Sequence, residues 1–200
     1  SAIEHALNRR LVFDHQRYDR SPLALACSDL KSCYDRVVHA AASLALQRIG
    51  VPIASIVSMF DSIRRMTHCV RTAFGESEGT YGGDTVPEEY ITFIQGLLQG
   101  NGAGPQIWSI LSSTIFDALR GKGYGLHFVT AITKELFHLV GFSYVDDCDL
   151  ATNNSTVQLT HSMMQAALTE WEELIKVTGG CLVPDKSSWY LVDYIWKRGK

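Results

Sequence analysis

Apolar residues recur three or four positions apart in several segments of the chain, a spacing that places them on one face of an α-helix. In residues 2–18, Ile3, Leu7 and Leu11 follow this spacing, and Pro22 comes soon after them. The helix is expected to end before that proline, because proline disfavours helical geometry in the residue that precedes it. The same periodicity predicts further helices at residues 32–49, 52–65 and 156–177, and from the glycine-rich segment 99–105 to about residue 120.

Short apolar runs between these helices predict β-strands. Leu23–Cys27 is apolar at every position, which is typical of a strand that is covered on both faces. Residues 137–152 predict two strands that meet at Val145–Asp147. The remaining expectations are one strand each at residues 68–74 and 189–196, and a loop or hairpin tip over the glycine-rich, acidic stretch 75–89.

The order of these elements indicates the fold class. Apart from residues 50–100, the chain runs strand, helix, strand, strand, helix, strand, which is the split βαββαβ, or ferredoxin-like, arrangement. The expected fold is therefore α+β, with an antiparallel sheet, helices packed on one face, and an insert of helices and strands in the middle. A length of 200 residues fits one such domain.

The composition narrows the class of protein without identifying it. The chain is 46% hydrophobic and 20% charged, which excludes a disordered tail, a collagen-like fibre and a disulfide-rich miniprotein. No apolar run approaches the roughly 18 residues that would cross a membrane. The 5 cysteines are far apart and form no C-x-x-C pair, so we expect reduced thiols rather than a zinc site or a disulfide framework.

Charge is unevenly distributed along the chain. The net charge of −3 gives no sign of nucleic-acid binding by itself, but residues 36–71 carry five arginines and a single acid. This segment either faces phosphates or forms the solvated side of helices. Because the chain begins at Ser1 and ends on a charged run after Trp196, it is expected to be a piece of a longer protein.

Three acidic residues lie in unusually apolar surroundings. Asp29 follows the apolar strand, and Asp146 and Asp147 separate two apolar runs. Such carboxylates are costly to bury unless they are paired or bind a metal. Taken singly, Asp29 could cap the next helix and the other two could form a hairpin turn. In a split βαββαβ sheet, however, the first strand lies beside this hairpin, so the three oxygen ligands would meet. This arrangement suits Mg²⁺, and two such ions about 4 Å apart are typical of phosphoryl transfer.

Four short motifs in order resemble the palm domain of a reverse transcriptase, of the kind found in non-LTR retrotransposons and group II introns. Residues 29–37 resemble the first palm motif, in which an acid is followed five residues later by an aromatic residue and Asp. Residues 99–105 resemble the second motif, Q-G-x-x-x-x-P, although Gly102 stands where relatives often carry proline. Residues 144–147 match the aromatic-x-D-D signature, and residues 184–187 resemble the lysine-containing fourth motif.

The resemblance covers residues 1–195 and implies an RNA-directed DNA polymerase. Such an enzyme adds deoxynucleotides to a primer 3′-hydroxyl by two-metal-ion chemistry. By resemblance, Asp29 and Asp146 hold two Mg²⁺ ions, for which Mn²⁺ is a possible substitute, together with the backbone carbonyl of Leu30. Asp147 is a weaker ligand. Lys186 supplies a proton or a positive charge to the leaving pyrophosphate, although it could also be an ordinary surface lysine.

The resemblance also implies how the nucleotide and the primer are bound. Tyr34 would lie under the sugar of the incoming nucleotide and exclude a 2′-hydroxyl, although a core aromatic residue is the alternative. Asp35 belongs to the motif, but capping or pairing with Arg36 or Lys31 explains it equally well. The remaining expectations are that Gln99 and Gly100 line the nucleotide pocket and that Tyr144 lies near the primer end.

The expected partners are an RNA template, a DNA primer, dNTPs and other domains of a parent polyprotein, with no membrane involved. Residues 1–20 and 50–98 are assigned to the neighbourhood of the fingers, and residues 21–49 and 99–196 to the palm. The basic fingers strands and the thumb are expected to lie outside the chain, with an endonuclease left open. An intracellular location is expected, nuclear or within a ribonucleoprotein if the source is eukaryotic.

Two other classes of protein are alternatives to a polymerase. A catalytically inactive, palm-like scaffold would be expected to have lost one of the metal-binding acids, and all of them are present. A dinucleotide-binding turn is disfavoured because the glycines at 100, 102 and 104 follow a G-x-G-x-G spacing, not G-x-G-x-x-G.

Overall fold

A computed structural model of the chain describes residues 2–82, 96–97, 101–130, 132–145 and 147–195. The chain divides into two compact units. The first comprises Ser1–Cys33 and Ser112–Lys200, and the second comprises Tyr34–Leu111. The predicted assignment of segments to palm and fingers is a separate matter and stays a prediction.

The helices within the described ranges are α1 (Ala2–Asp19), α2 (Cys33–Arg36), α3 (His39–Arg48), α4 (Ile53–Arg64), α5 (Gly104–Gly121) and α6 (Val157–Val177). The strands are β1 (Leu23–Ser28), β2 (Thr67–Thr72), β3 (Gly75–Gly82), β4 (Leu126–Val129), β5 (Leu136–Leu139), β6 (Gly141–Tyr144), β7 (Asp147–Asn153) and β8 (Ser188–Val192). A short 3₁₀ turn, Pro184–Lys186, precedes β8. No helix in this described part is both long and apolar enough to cross a membrane.

The first unit is built on a four-stranded sheet in the order β6-β7-β1-β8. Each neighbouring pair is antiparallel. Strand β1 is central, because it pairs with β7 along one edge and with β8 along the other. This is the strand order of the split βαββαβ arrangement, and the predicted α+β fold class is confirmed.

Both faces of this sheet are covered. Helix α6 lies along the face that carries Ala26, and its Trp171 stacks on Phe116 of α5 with ring centroids 5.5 Å apart. On the opposite face, Val12 of α1 packs with Leu25 of β1 and with residues of β4 and β7. The prediction of helices on one face is right for α5 and α6, and α1 adds cover on the other face. The uninterrupted apolar run of β1 is the sequence signal of this two-sided burial.

The second unit departs from prediction in two places. The helix predicted over residues 32–49 is divided into α2 and α3, because the Tyr34 and Val37 carbonyls accept hydrogen bonds from Leu97 and Gly96 instead of continuing a helix. Residues 75–89 were predicted to form a loop or hairpin tip, and residues 75–82 instead form strand β3, which pairs with β2 in an exposed hairpin. In the core of this unit, the His39 ring stacks on Phe60 at 4.6 Å.

Candidate active site

The hairpin between β6 and β7 has an unusual turn. Tyr144 pairs with Asp147, so the connection consists of Val145 and Asp146. Val145 has a φ of 61°, a conformation that β-branched residues rarely adopt but that two-residue hairpin turns require. Backbone strain of this kind is maintained where the surrounding structure enforces it, often at functional sites. Asp146 itself lies outside the described residues.

Pairing between β1 and β7 brings two of the predicted acids together. The ladder between β1 and β7 ends at the pair Ser28 and Cys148, and continuing its antiparallel register by one residue would bring Asp29 opposite Asp147. Both residues line a cavity of about 240 Å³ whose wall also includes Lys186 and Asp149. The structure therefore brings Asp29, Asp147 and Lys186 to one cavity.

The segment before β8 holds Asp29 in place. The Asp29 amide donates to Ser187 Oγ at 3.3 Å, and the Val183 amide donates to the Asp29 carbonyl at 3.0 Å. The Lys186 ammonium lies 3.4 Å from Asp29 Oδ2. Because the Lys186 side chain is 72% exposed, this ion pair contributes little to stability. Its consequence is positional, since it places a positive charge beside Asp29 in the wall of the cavity.

The backbone of Leu30 is oriented by the same segment. Leu30 is bridged to Leu182, and the flanking hydrogen bonds run from Lys31 N to Cys181 O and from Val183 N to Asp29 O. These bonds lie on either side of Leu30 and Leu182, which therefore form a non-hydrogen-bonded pair of an antiparallel ladder. The carbonyl of Leu30 therefore points to the other edge of the strand, along which β7 runs.

A second group of polar residues, which sequence analysis did not single out, lines the same cavity. Asp149 is only 2% exposed, and its Oδ2 lies 3.5 Å from His5 Nε2. Arg9 Nη2 donates to the Cys27 sulfur at 3.0 Å. Burial, followed by a hydrogen bond to Asp149, raises the pKa of the Cys27 thiol to about 12, so the thiol stays protonated. The available sequence signals were an acid inside an apolar strand and the helical spacing of His5 and Arg9.

The donor atoms of the cavity fit a hard cation. Asp29 and Asp147 contribute carboxylate oxygens, the ligand type that Mg²⁺ prefers. Among the side chains that the structure describes, no group of three or more His, Cys, Asp or Glu residues could hold a metal ion. Asp146, the third acid predicted for this site, lies outside the described residues.

The residues predicted to bind the nucleotide or the primer are placed as follows. Tyr34, in the second unit, is half-buried, and its ring lies 3.6 Å from the position that a Cβ on Gly104 would occupy. The Leu97 amide donates to the Tyr34 carbonyl at 2.8 Å. Tyr144, in the first unit, is 41% exposed at the end of β6. Gln99 and Gly100 lie outside the described residues.

Comparison with other proteins gives structural matches, which support the fold, and no match by sequence. No protein-family model matches the chain, and a search of curated proteins finds no match. Solved structures do match. Apo telomerase from Candida tropicalis, truncated from its C-terminal domain, superposes with a TM-score of 0.62 at 18% identity, covering 97% of this chain and 36% of that one.

Two further telomerase structures give similar values. Telomerase from Candida tropicalis in complex with the TWJ fragment of telomeric RNA matches with a TM-score of 0.61 at 17% identity, covering 94% of this chain and 29% of that one. The corresponding Candida albicans complex matches with a TM-score of 0.56 at 15% identity, covering 90% and 29%. The chain thus spans about a third of the length of these telomerases. It has a reverse-transcriptase-like α+β fold, similar to that of telomerase.

Proposed function

We propose that this chain is the polymerase core of a reverse transcriptase, which adds deoxynucleotides to a primer 3′-hydroxyl on an RNA template. The observation that carries the proposal is the β1–β7 pairing, which places Asp29 and Asp147 in one cavity with Lys186. A telomerase-like fold supports the same reaction class. The four palm motifs favour a retroelement enzyme of the non-LTR or group II intron type.

In this proposal the acidic cavity holds two Mg²⁺ ions through Asp29, Asp146, Asp147 and the Leu30 carbonyl. The bound ions would supply the chemistry of the reaction, by activating the primer hydroxyl and stabilising negative charge on the phosphates. Lys186 extends from a 3₁₀ turn beside Asp29. From there its ammonium can donate a proton or a charge to the leaving pyrophosphate.

The other roles follow from the motifs. Gln99 and Gly100 would line the nucleotide pocket, and Tyr144, at the end of β6, would lie near the primer terminus. We assign residues 21–49 and 99–196 to the palm, and residues 1–20 and 50–98 to the neighbourhood of the fingers. Since the chain spans about a third of the telomerases that it resembles, we place the basic fingers strands and the thumb in other parts of the protein. RNA, a DNA primer and dNTPs are the proposed partners, with a nuclear or ribonucleoprotein location in a eukaryotic source.

Primer extension tests this function in the natural protein that carries the chain. We expect a DNA primer annealed to an RNA template to be extended with dNTPs and Mg²⁺, and EDTA to stop the reaction. Primer–template binding without extension under any metal or nucleotide condition would instead support an inactive palm-like scaffold.

The identity of the sugar gate can be tested separately at Tyr34. If the ring excludes a 2′-hydroxyl by its bulk, Tyr34→Ala should raise the use of rNTPs relative to dNTPs by about tenfold or more, since each tenfold change needs only about 1.4 kcal/mol. Tyr34→Phe keeps the ring and should retain the wild-type preference. An unchanged dNTP-to-rNTP ratio in Tyr34→Ala would leave Tyr34 as a core aromatic residue, the alternative reading of its half-buried ring.

A further inference from the structure

A polar link of four residues lines the cavity and has no role in the proposed mechanism. It consists of Arg9, Cys27, Asp149 and His5. Arg9 donates to the Cys27 sulfur at 3.0 Å, and Cys27 is the cross-strand neighbour of Asp149. The other side of that carboxylate faces His5 Nε2 at 3.5 Å. The polar link therefore connects helix α1 to strands β1 and β7.

The buried Asp149 carboxylate at the centre of the polar link depends on the polar groups around it. Asp149 is 2% exposed, and its Oδ2 has no hydrogen-bond partner in the described structure. A buried carboxylate is unfavourable unless positive charge or donors lie close to it. Both basic side chains of the polar link come from α1, one helical turn apart at positions 5 and 9. The N-terminal half of α1 is thus attached to the sheet by polar contacts, whereas Val12 attaches its C-terminal half by apolar packing.

The strand positions of the polar link relate it to the proposed metal site. Side chains two residues apart on a strand share a face. Cys27 therefore shares a face with Asp29, and Asp149 shares a face with Asp147, while Cys27 and Asp149 are themselves paired across the two strands. The polar link joins β1 to β7 at the residue pair two positions before Asp29 and Asp147.

We infer that Arg9, acting through Cys27 and Asp149, is a positioning residue that holds Asp29 and Asp147 at the spacing needed to share a divalent cation. The inference rests on the proposed function, because it concerns the same metal site. Arg9 does not touch the cation. Its guanidinium is held between the Cys27 sulfur and the Tyr190 ring, whose centroid lies 5.8 Å away.

The direction in which Arg9→Gln changes cation affinity distinguishes a positioning role from a purely electrostatic effect. Arg9 carries a positive charge near an acidic cavity, so electrostatics alone predicts that Arg9→Gln strengthens cation binding. Positioning predicts the opposite, because without Arg9 the Cys27 thiol loses its contact with α1, and His5 alone links Asp149 to that helix. Outer partners of metal ligands typically change metal affinity by about 10- to 100-fold.

The experiment is Mn²⁺ binding to the 200-residue chain, measured by calorimetry or by the electron paramagnetic resonance of free Mn²⁺, with thermal unfolding of each variant. We expect Arg9→Gln and the uncharged substitution Cys27→Val each to weaken binding about tenfold or more. Cys27→Ser keeps an acceptor for Arg9 and should recover most of the affinity lost in Cys27→Val. Arg10→Gln is the matched control, since Arg10 is the next residue of α1 but pairs with Asp14 on an exposed surface.

The outcomes distinguish this inference from the proposed function. Wild-type binding that persists unchanged in Arg9→Gln and Cys27→Val overturns the inference and leaves the metal site intact. Tighter binding by Arg9→Gln also overturns it, in favour of the field effect. Absence of Mn²⁺ binding by the wild type, or binding unaffected by Asp29→Asn, overturns the proposed metal site and the positioning role with it. A folded Cys27→Ser variant that binds as poorly as Cys27→Val shows that packing, and not the polar link, controls affinity.

Discussion

Asp29→Asn is expected to lower RNA-templated DNA synthesis at least about a hundredfold, because it removes a charge from a proposed metal ligand while keeping the shape of the side chain. Replacing an outer partner of a metal ligand already costs about 10- to 100-fold, and a direct ligand should cost more. Asp146→Asn should be as severe as Asp29→Asn, whereas Asp147→Asn should be milder if Asp147 is the weaker ligand. Steady-state primer extension at saturating Mg²⁺ measures the effect.

The control for these variants lies in the same segment. Asp185 is an exposed acid next to Lys186 in the same 3₁₀ turn, and it does not line the cavity. Asp185→Asn therefore removes one negative charge close to the site without changing a proposed ligand. Its activity should stay within about twofold of the wild type. Because the ion pair of Asp29 with the exposed Lys186 contributes little to stability, Asp29→Asn should also unfold at nearly the wild-type temperature. Residual synthesis within tenfold of the wild type in Asp29→Asn would exclude the two-metal assignment.

Much of the sheet was predictable because its signals are local. Strand β1 is a continuous apolar run that ends at an acid, and α6 begins where Thr156 accepts a hydrogen bond from the Leu159 amide at 3.2 Å. Such caps and runs are properties of a few neighbouring residues. Placing Asp29 beside the β6–β7 hairpin then required only the strand order of a known arrangement.

The parts that sequence reasoning missed depend on pairing between distant segments. Strand β4 was not predicted, and the first of the two strands predicted over residues 137–152 is divided into β5 and β6. Strands β4 and β5 are four residues each and pair with each other, so neither is long enough to show a periodic pattern of its own. The break between α2 and α3 arises because Gly96 and Leu97 bind carbonyls that a helix would have used. Neither feature is visible in the local sequence.

The polar link shows the same limit within the candidate site. Asp149 is recognisable as an acid in an apolar strand, but its partners come from a helix more than a hundred residues earlier in the chain. Only the register of β1 with β7 and the docking of α1 bring Cys27, His5 and Arg9 to it. The roles assigned to the motif residues, including those outside the described ranges, stay predictions that the variants above can test.

Gly96→Ala is expected to destabilise the second unit by about 2 to 4 kcal/mol, near the upper end of the usual range for single substitutions. Gly96 has a φ of 92°, a conformation that costs L-residues about 1 to 2 kcal/mol. A Cβ there would also lie 2.4 Å from the Asp35 carbonyl oxygen. Because the atoms that a Cβ would meet belong to the Asp35 backbone, the backbone around Gly96 or Asp35 would have to move. Urea unfolding monitored by circular dichroism measures the loss.

Gly104, in the glycine-rich second motif, provides the control. A Cβ on Gly104 would make only an ordinary contact with the Tyr34 ring at 3.6 Å, and Gly104 begins helix α5. Gly104→Ala should therefore be neutral or stabilise by up to about 1 kcal/mol, since alanine favours helix more than glycine. The Gly96 and Leu97 amides bind the carbonyls of Val37 and Tyr34. Displacing this segment in Gly96→Ala should therefore also alter the dNTP-to-rNTP preference, which Gly104→Ala should leave closer to wild type. Equal stability of the two variants would mean that the close approach of Gly96 to Asp35 does not exist in solution.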